Sequence, residues 1–344
     1  MYAILVLFGV VIIVCVLANR FTEKLGVPSL LAFLALGMCF GEDGLFQIPY
    51  NDYHTSEIIC SVSLIFIMFY GGFGTNFKEA RSVAVPSTLL STVGVILTAG
   101  LTGLFAHFVL GLPWAESMLI GSVISSTDAA SVFSILRSKK LNLKYHTASM
   151  LEMESGSNDP ISYMLTLLWI GVMQGSDLSV PMLLLQQITI GIVAGLILGK
   201  LAIWVLNRCN FYIAQGNTIF LFAVAVLSYA LPSILGGNGY LGAYLCGILM
   251  GNAYLPKKRE LVLFFDALTG VAQMMIFFLL GLLVTPSQLP TVFLPALLIM
   301  VFLTLIARPV AVGAVLAGFR ATKGQIGLVS WAGLRGAASI VFAI

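Results

Sequence analysis

Apolar runs as long as a bilayer is thick recur along this chain, and no other feature limits its fold so tightly. A helix crossing the hydrocarbon core needs about 20 apolar residues, within a range of about 17–25. Twelve segments meet that need, at about 3–19, 28–44, 55–75, 83–110, 115–137, 146–174, 181–207, 216–234, 239–254, 259–284, 291–318 and 323–344. Charged residues make up 9% of the 344, against about 25% in a soluble domain, so water cannot be the only solvent of this surface. In hydrocarbon each backbone N–H and C=O must find its partner inside the segment, which a helix provides. The expected fold class is an all-α polytopic membrane protein. Connections are short and no linker interrupts them, so residues 1–344 read as one membrane domain.

Lysine and arginine in the loops set the orientation. They follow the odd-numbered segments: Arg20/Lys24, Lys78/Arg81, Arg137/Lys139/Lys140/Lys144, Arg208, Lys257/Lys258/Arg259 and Arg320/Lys323. Loops after even-numbered segments hold Glu42, Asp43, Asp52 and Asp177 instead. The N-terminus is therefore expected outside, in a cell membrane. Topology explains the basic clusters without a nucleic acid. The five cysteines form no CxxC and four lie in apolar stretches, which predicts neither a disulfide framework nor a zinc site. No basic n-region precedes the first apolar run, so it reads as a retained helix. The sequence stops within an apolar segment, and more protein is expected to follow Ile344.

Three polar interruptions carry the chemistry. Leu151–Ser162, LEMESGSNDPIS, puts Glu152, Glu154, Asn158 and Asp159 into the sixth segment. Acidic residues at such depth line cavities or ion paths. Ser155 and Asp159, and likewise Glu154 and Asn158, are four apart and share a helix face. Pro160 lacks an N–H and crowds the Gly156 carbonyl, which is expected to loosen the helix beside Asp159. A helix starting late, near Pro160, would instead leave these acids in a loop. In the fifth segment Ser125-Ser126-Thr127-Asp128 suits a broken helix lining a cavity, or a hydrogen-bonded patch between helices. In the twelfth, Arg335 lies within Gly333–Ser339, GLRGAAS, where depth demands a carboxylate partner, Glu154 or Asp128. Arg335 reads either as a tie between helices or as an ion contact. Segments 5 and 12 are seven apart, as are 2 and 9, where Ala32-Phe33-Leu34 echoes Ala243-Tyr244-Leu245. Such pairing points to inverted repeats. Asp266, Lys200 and Arg308 are expected to snorkel or pair near the cytoplasmic side. His54, His107 and His146 read as surface residues at helix ends. Gly71–Gly74 and Gly236–Gly239 read as helix ends and turns, without the lysine of a phosphate loop.

At Ile124–Leu136, ISSTDAASVFSIL, Glu154–Pro160, ESGSNDP, and Gly333–Ala337, GLRGA, the chain resembles the monovalent cation:proton antiporters. It is most similar to the Asn-Asp branch and to bacterial potassium/proton antiporters of the NhaP type. The resemblance covers essentially all 344 residues. It implies an inverted-repeat fold with discontinuous, crossing helices 5 and 12, thirteen helices per protomer and a homodimer. It implies that Asp159 binds the ion and the proton, that Thr127, Asp128 and Ser155 complete the site for K+ or Na+, that Asn158 bonds across to helix 5, and that Glu154 pairs with Arg335. Against this pattern residues 1–344 lack a thirteenth helix and the cytoplasmic regulatory domain that potassium-linked relatives often carry.

A partly desolvated Asp159 holds either a proton or a dehydrated cation, never both. If only the loaded site moves between sides, exchange follows, and one acid beside Asn158 implies electroneutral exchange. The expected partners are a monovalent cation, a proton, lipid and a second copy of the chain, with no cofactor and no enzymatic reaction. A cation channel also wants acidic residues in its pore. An intramembrane aspartyl protease would use Asp128 and Asp159, but it leaves Asn158 and Arg335 without a role.

Overall fold

In hydrocarbon only a helix or a closed barrel satisfies the backbone, and these apolar runs fold as helices. The computed structural model describes residues 9–18, 29–77, 81–128, 143–175, 180–208 and 215–344. In chain order the helices are α1 Gly9–Ala18, α2 Ser29–Phe40, α3 Tyr53–Gly74, α4 Arg81–Leu110, α5 Trp114–Val123, α6 Thr147–Met173, α7 Val180–Arg208, α8 Gly216–Ile234, α9 Gly239–Asn252, α10 Lys258–Leu283, α11 Pro286–Phe319, α12 Lys323–Trp331 and α13 Ala337–Ala343. Each of the first eleven falls on one expected span, and α12 and α13 divide the twelfth. Arg20, Lys24, Lys78, Arg137, Lys139, Lys140, Asp177 and the second half of the fifth span lie outside the described residues.

Local chemistry sets several boundaries. Asp52 caps α3 by accepting from the Thr55 amide, and Thr322 caps α12 by accepting from Gln325. Gly111 ends α4 at φ 70°, a left-handed turn that glycine adopts without strain. Helix α6 runs unbroken through Pro160. The expected loosening is absent because the surrounding helices hold the turn, and the late start near Pro160 is excluded.

Helix pairs close on glycines. Gly37 of α2 lies against the Phe278 carbonyl and the Gly281 backbone of α10. Gly72 of α3 lies against the Tyr244 carbonyl of α9, and Gly247 and Gly251 against Phe69 and Phe73. Small residues allow such backbone approach where lipid supplies no hydrophobic drive. A shift of seven helices carries the α3–α9 contact onto α10–α2. The same shift carries α4 onto α11, and each contains a π-helical turn, at Leu90–Gly94 and Leu303–Ala307. These two helices pack together, with Phe105 and Phe302 stacked at 4.1 Å. The echo between segments 2 and 9 is thus one sign of a repeat in the packing.

Two apolar cores result. The larger draws on α1–α3, α7–α10 and α13, and the smaller on α4, α6, α11 and α12. Helix α6 reaches both, with Met150 and Leu151 in the smaller and Tyr163 against the larger. Outward faces such as Val292, Phe293 and Leu294 of α11 are apolar and exposed. This is a multi-pass membrane protein.

Candidate functional site

Helix α5 stops at Val123, and residues 125–128 continue without helical hydrogen bonding. Four polar side chains are tolerated there because α6 answers them. Ser155, Asn158, Asp159 and Ser162 recur at helical spacing, so they form one stripe. The Ser155 hydroxyl donates to the Thr127 carbonyl at 2.9 Å, and Asn158 Nδ2 donates to Thr127 Oγ1 at 2.5 Å. The Ser126 hydroxyl donates to Asp159 Oδ1. Ser162 donates to the Ser122 carbonyl at 2.6 Å. Asp159 and Thr127 are buried, at 7% and 4% exposure, and Asn158 is fully buried.

The second interruption meets the first. Residues 332–336 separate α12 from α13. The Asp128 amide donates to the Leu334 carbonyl at 2.7 Å. Gly336 lies so near the Asp128 side chain that a Cβ there would overlap it. Arg335 Nη1 donates to the Ser126 carbonyl at 2.9 Å and reaches that of Ser125 at 3.5 Å. Both carbonyls belong to the non-helical stretch after α5. Arg335 thus ties residues 332–336 to that stretch.

Glu154 takes a different partner from the one expected. Its Oε1 accepts from Arg308 Nη2 at 2.6 Å, with both side chains buried. The expected Glu154–Arg335 pairing is corrected: Arg335 directs Nη1 at backbone carbonyls, and Arg308 takes the carboxylate. Of the two expectations, snorkelling or pairing, the structure shows pairing for Arg308. The π-helical turn Leu303–Ala307 immediately precedes it, and the guanidinium is 2% exposed. Gly333 leaves the room it needs, since a Cβ there would stand 2.8 Å from Arg308 Nε.

Beside these groups lies a cavity of about 620 Å³. Its deep wall holds Asp159, Thr127 and Ser126, and its rim holds the exposed Glu152 and Asp266. Asp128, Ser155 and Gly336 also line it. Four carboxylates and no Lys or Arg stand in its described lining. Carboxylate, hydroxyl and carbonyl oxygens suit a hard cation. Asp128, Thr127, Ser155 and Asp159 all come together on this cavity, while Asn158, Glu154 and Arg335 stand behind it. Sequence reasoning undervalued Asp266. Its signal was a polar stripe in an apolar helix, Asp266, Thr269 and Gln273 at helical spacing, all three on the cavity wall.

Helices that break off around a buried acid are a mark of membrane transport proteins. The chain belongs to the family described as sodium/hydrogen exchanger, transmembrane, whose model matches residues 9–344. It is 39% identical to the K(+)/H(+) antiporter NhaP of Alkalimonas amylolytica, over 99% of this chain and 60% of that protein. It is 37% identical to the K(+)/H(+) antiporter NhaP2 of Shewanella sp. (strain ANA-3), over 96% of this chain and 58% of that protein. The chain thus spans about three fifths of the length of these curated relatives. Its fold matches the sodium proton antiporter MjNhaP1 of Methanocaldococcus jannaschii with a TM-score of 0.88 and 26% identity, covering 98% of this chain and 86% of that one.

Proposed function

We propose that this protein exchanges a monovalent cation, K+ or Na+, for protons by alternating access, with Asp159 as the shared binding group. The observation that carries this is the placement of Asp159. It is 7% exposed, on the wall of an acidic cavity, beside a chain break rich in hydroxyls and carbonyls. A carboxylate so placed trades a proton for a cation, because either one neutralises it in a poorly solvated setting. Thr127, Asp128 and Ser155 supply further oxygens to the cation. Asn158 holds Thr127 in position. Glu154 with Arg308, and Arg335 with the carbonyls of residues 125 and 126, keep the two interrupted segments in register. These segments form the crossing pair of discontinuous helices. One titrating acid per cation gives electroneutral exchange. The relatives named for K(+)/H(+) exchange support this reading, and they favour K+.

The cavity lies among the ends of α3, α6 and α10, which adjoin Arg81, Lys144 and Lys257–Arg259. With those loops cytoplasmic, the N-terminus is outside, the membrane is the bacterial inner membrane, and the cavity faces the cytoplasm. Residues 1–344 act as one transport domain, and the working unit is a homodimer.

The test is reconstitution into proteoliposomes with a lumenal pH dye. Addition of K+ or Na+ is expected to drive a saturable lumenal pH change that is insensitive to membrane potential. Cation flux that follows the potential and moves no protons would mean a channel and would end the proposal.

A further inference from the structure

The described cavity reaches Asp159 from the end of the bundle nearer the basic loops. Helix α6 starts near the basic loops, so residues after Asp159 lie toward the acidic-loop end. One turn beyond Asp159, Tyr163 meets Tyr240 of α9 edge-on at 4.9 Å and Phe342 of α13 at 5.4 Å. Tyr240 also meets Tyr229 of α8 at 4.8 Å and Phe342 at 6.1 Å. Tyr240 is 1% exposed. Four helices thus bring rings to one point beyond Asp159, toward the acidic-loop end.

Asn238 ties this plug to the site. It is fully buried between α8 and α9. Its Oδ1 caps α9 by accepting from the Leu241 amide at 3.0 Å. Its own amide donates to the Gln187 carbonyl of α7 at 3.0 Å. Its Nδ2 donates to the Pro160 carbonyl at 2.8 Å, one residue from Asp159. The backbones of Gly191 and Gly195 in α7 lie close to Asn238 and Gly242, so α7 and α9 form a closely packed pair. The side chain of Asn238 spans the joint between that pair and the helix that carries Asp159.

We propose that Asn238 latches the closed side of the transport path, and that the rings of Tyr163, Tyr229, Tyr240 and Phe342 are the plug that parts when Asp159 turns to the acidic-loop end. This rests on the exchange reading, since only a carrier needs such a gate. Asn238 is a positioning residue: it touches no ion, and it biases which side is open. A two-state element shifts by the free energy that one state alone holds.

The test is sided thiol labelling. Ser162 is fully buried in the same turn as Tyr163. Ser162→Cys, with the native cysteines replaced, supplies the probe in right-side-out vesicles treated with an impermeant maleimide. Asn238→Ser keeps an N-cap oxygen but loses the donor to Pro160. It is expected to raise outside labelling about fivefold, the shift that one lost hydrogen bond brings. Tyr163→Ala removes a ring without touching the cap and is expected to act in the same direction, which covers a failure of Asn238→Ser to fold. Unchanged labelling in folded variants would overturn the latch. The pH-dye assay on wild-type vesicles is separate: absence of exchange there would end the exchange reading and the gate with it, whereas exchange that persists while labelling stays unchanged would end the latch alone.

Discussion

Arg308 Nη2 lies 2.6 Å from Glu154 Oε1, and neither side chain is more than 2% exposed. This contact joins α11 to α6 one turn before Asn158. Removing one member of a buried pair leaves a charge without a partner, at a cost of about 3–5 kcal/mol. Glu154→Gln or Arg308→Met is therefore expected to lower thermal stability in detergent sharply. The double variant is expected to recover part of that loss, because no buried charge is left alone. Additive losses in the double variant would refute the pairing.

The glycine contacts predict opposite signs for one chemical change. Gly72→Ala and Gly281→Ala push a methyl group into facing backbone, and overpacking costs about 1–3 kcal/mol. Gly100→Ala in α4 meets nothing within 4 Å and is expected to stabilise by about 0.5–1 kcal/mol, through the smaller entropy loss of alanine. Unfolding midpoints of the three variants check this, and a loss at Gly100 equal to that at Gly72 would contradict it.

Much of this was legible in the sequence, and the physics explains what was not. Segment length placed the helices, because a bilayer demands it. The stripe Ser155, Asn158, Asp159, Ser162 could be read from helical spacing alone. The partner of Glu154 could not. Two deep arginines were available, and which one reaches it depends on the π-helical turn before Arg308 and the space at Gly333, both tertiary facts. The unbroken course of α6 through Pro160 is of the same kind. Asp266 was visible but undervalued, because its stripe with Thr269 and Gln273 was not traced.

Asp52 predicts a pH effect outside the spans. Hydrogen bonds from Thr55, first the hydroxyl at 2.6 Å and then the amide at 3.0 Å, hold its carboxyl below the ordinary value of 3.8. A lowered folded value means the stabilisation is complete above the unfolded value and fades as pH falls through the folded one. Asp52→Asn keeps a capping oxygen but cannot titrate. Its thermal midpoint is expected to fall less than that of the wild type between about pH 6 and about pH 3. Parallel pH curves would show that this cap contributes nothing.

The central claim is that one carboxylate holds either a proton or a cation. The direct measurement is proton release on cation binding, made in weakly buffered detergent solution by titrating purified protein with K+ or Na+. The wild type is expected to release protons in a saturable way, and Asp159→Asn is expected to release none. Equal release from both proteins would place the exchange site elsewhere.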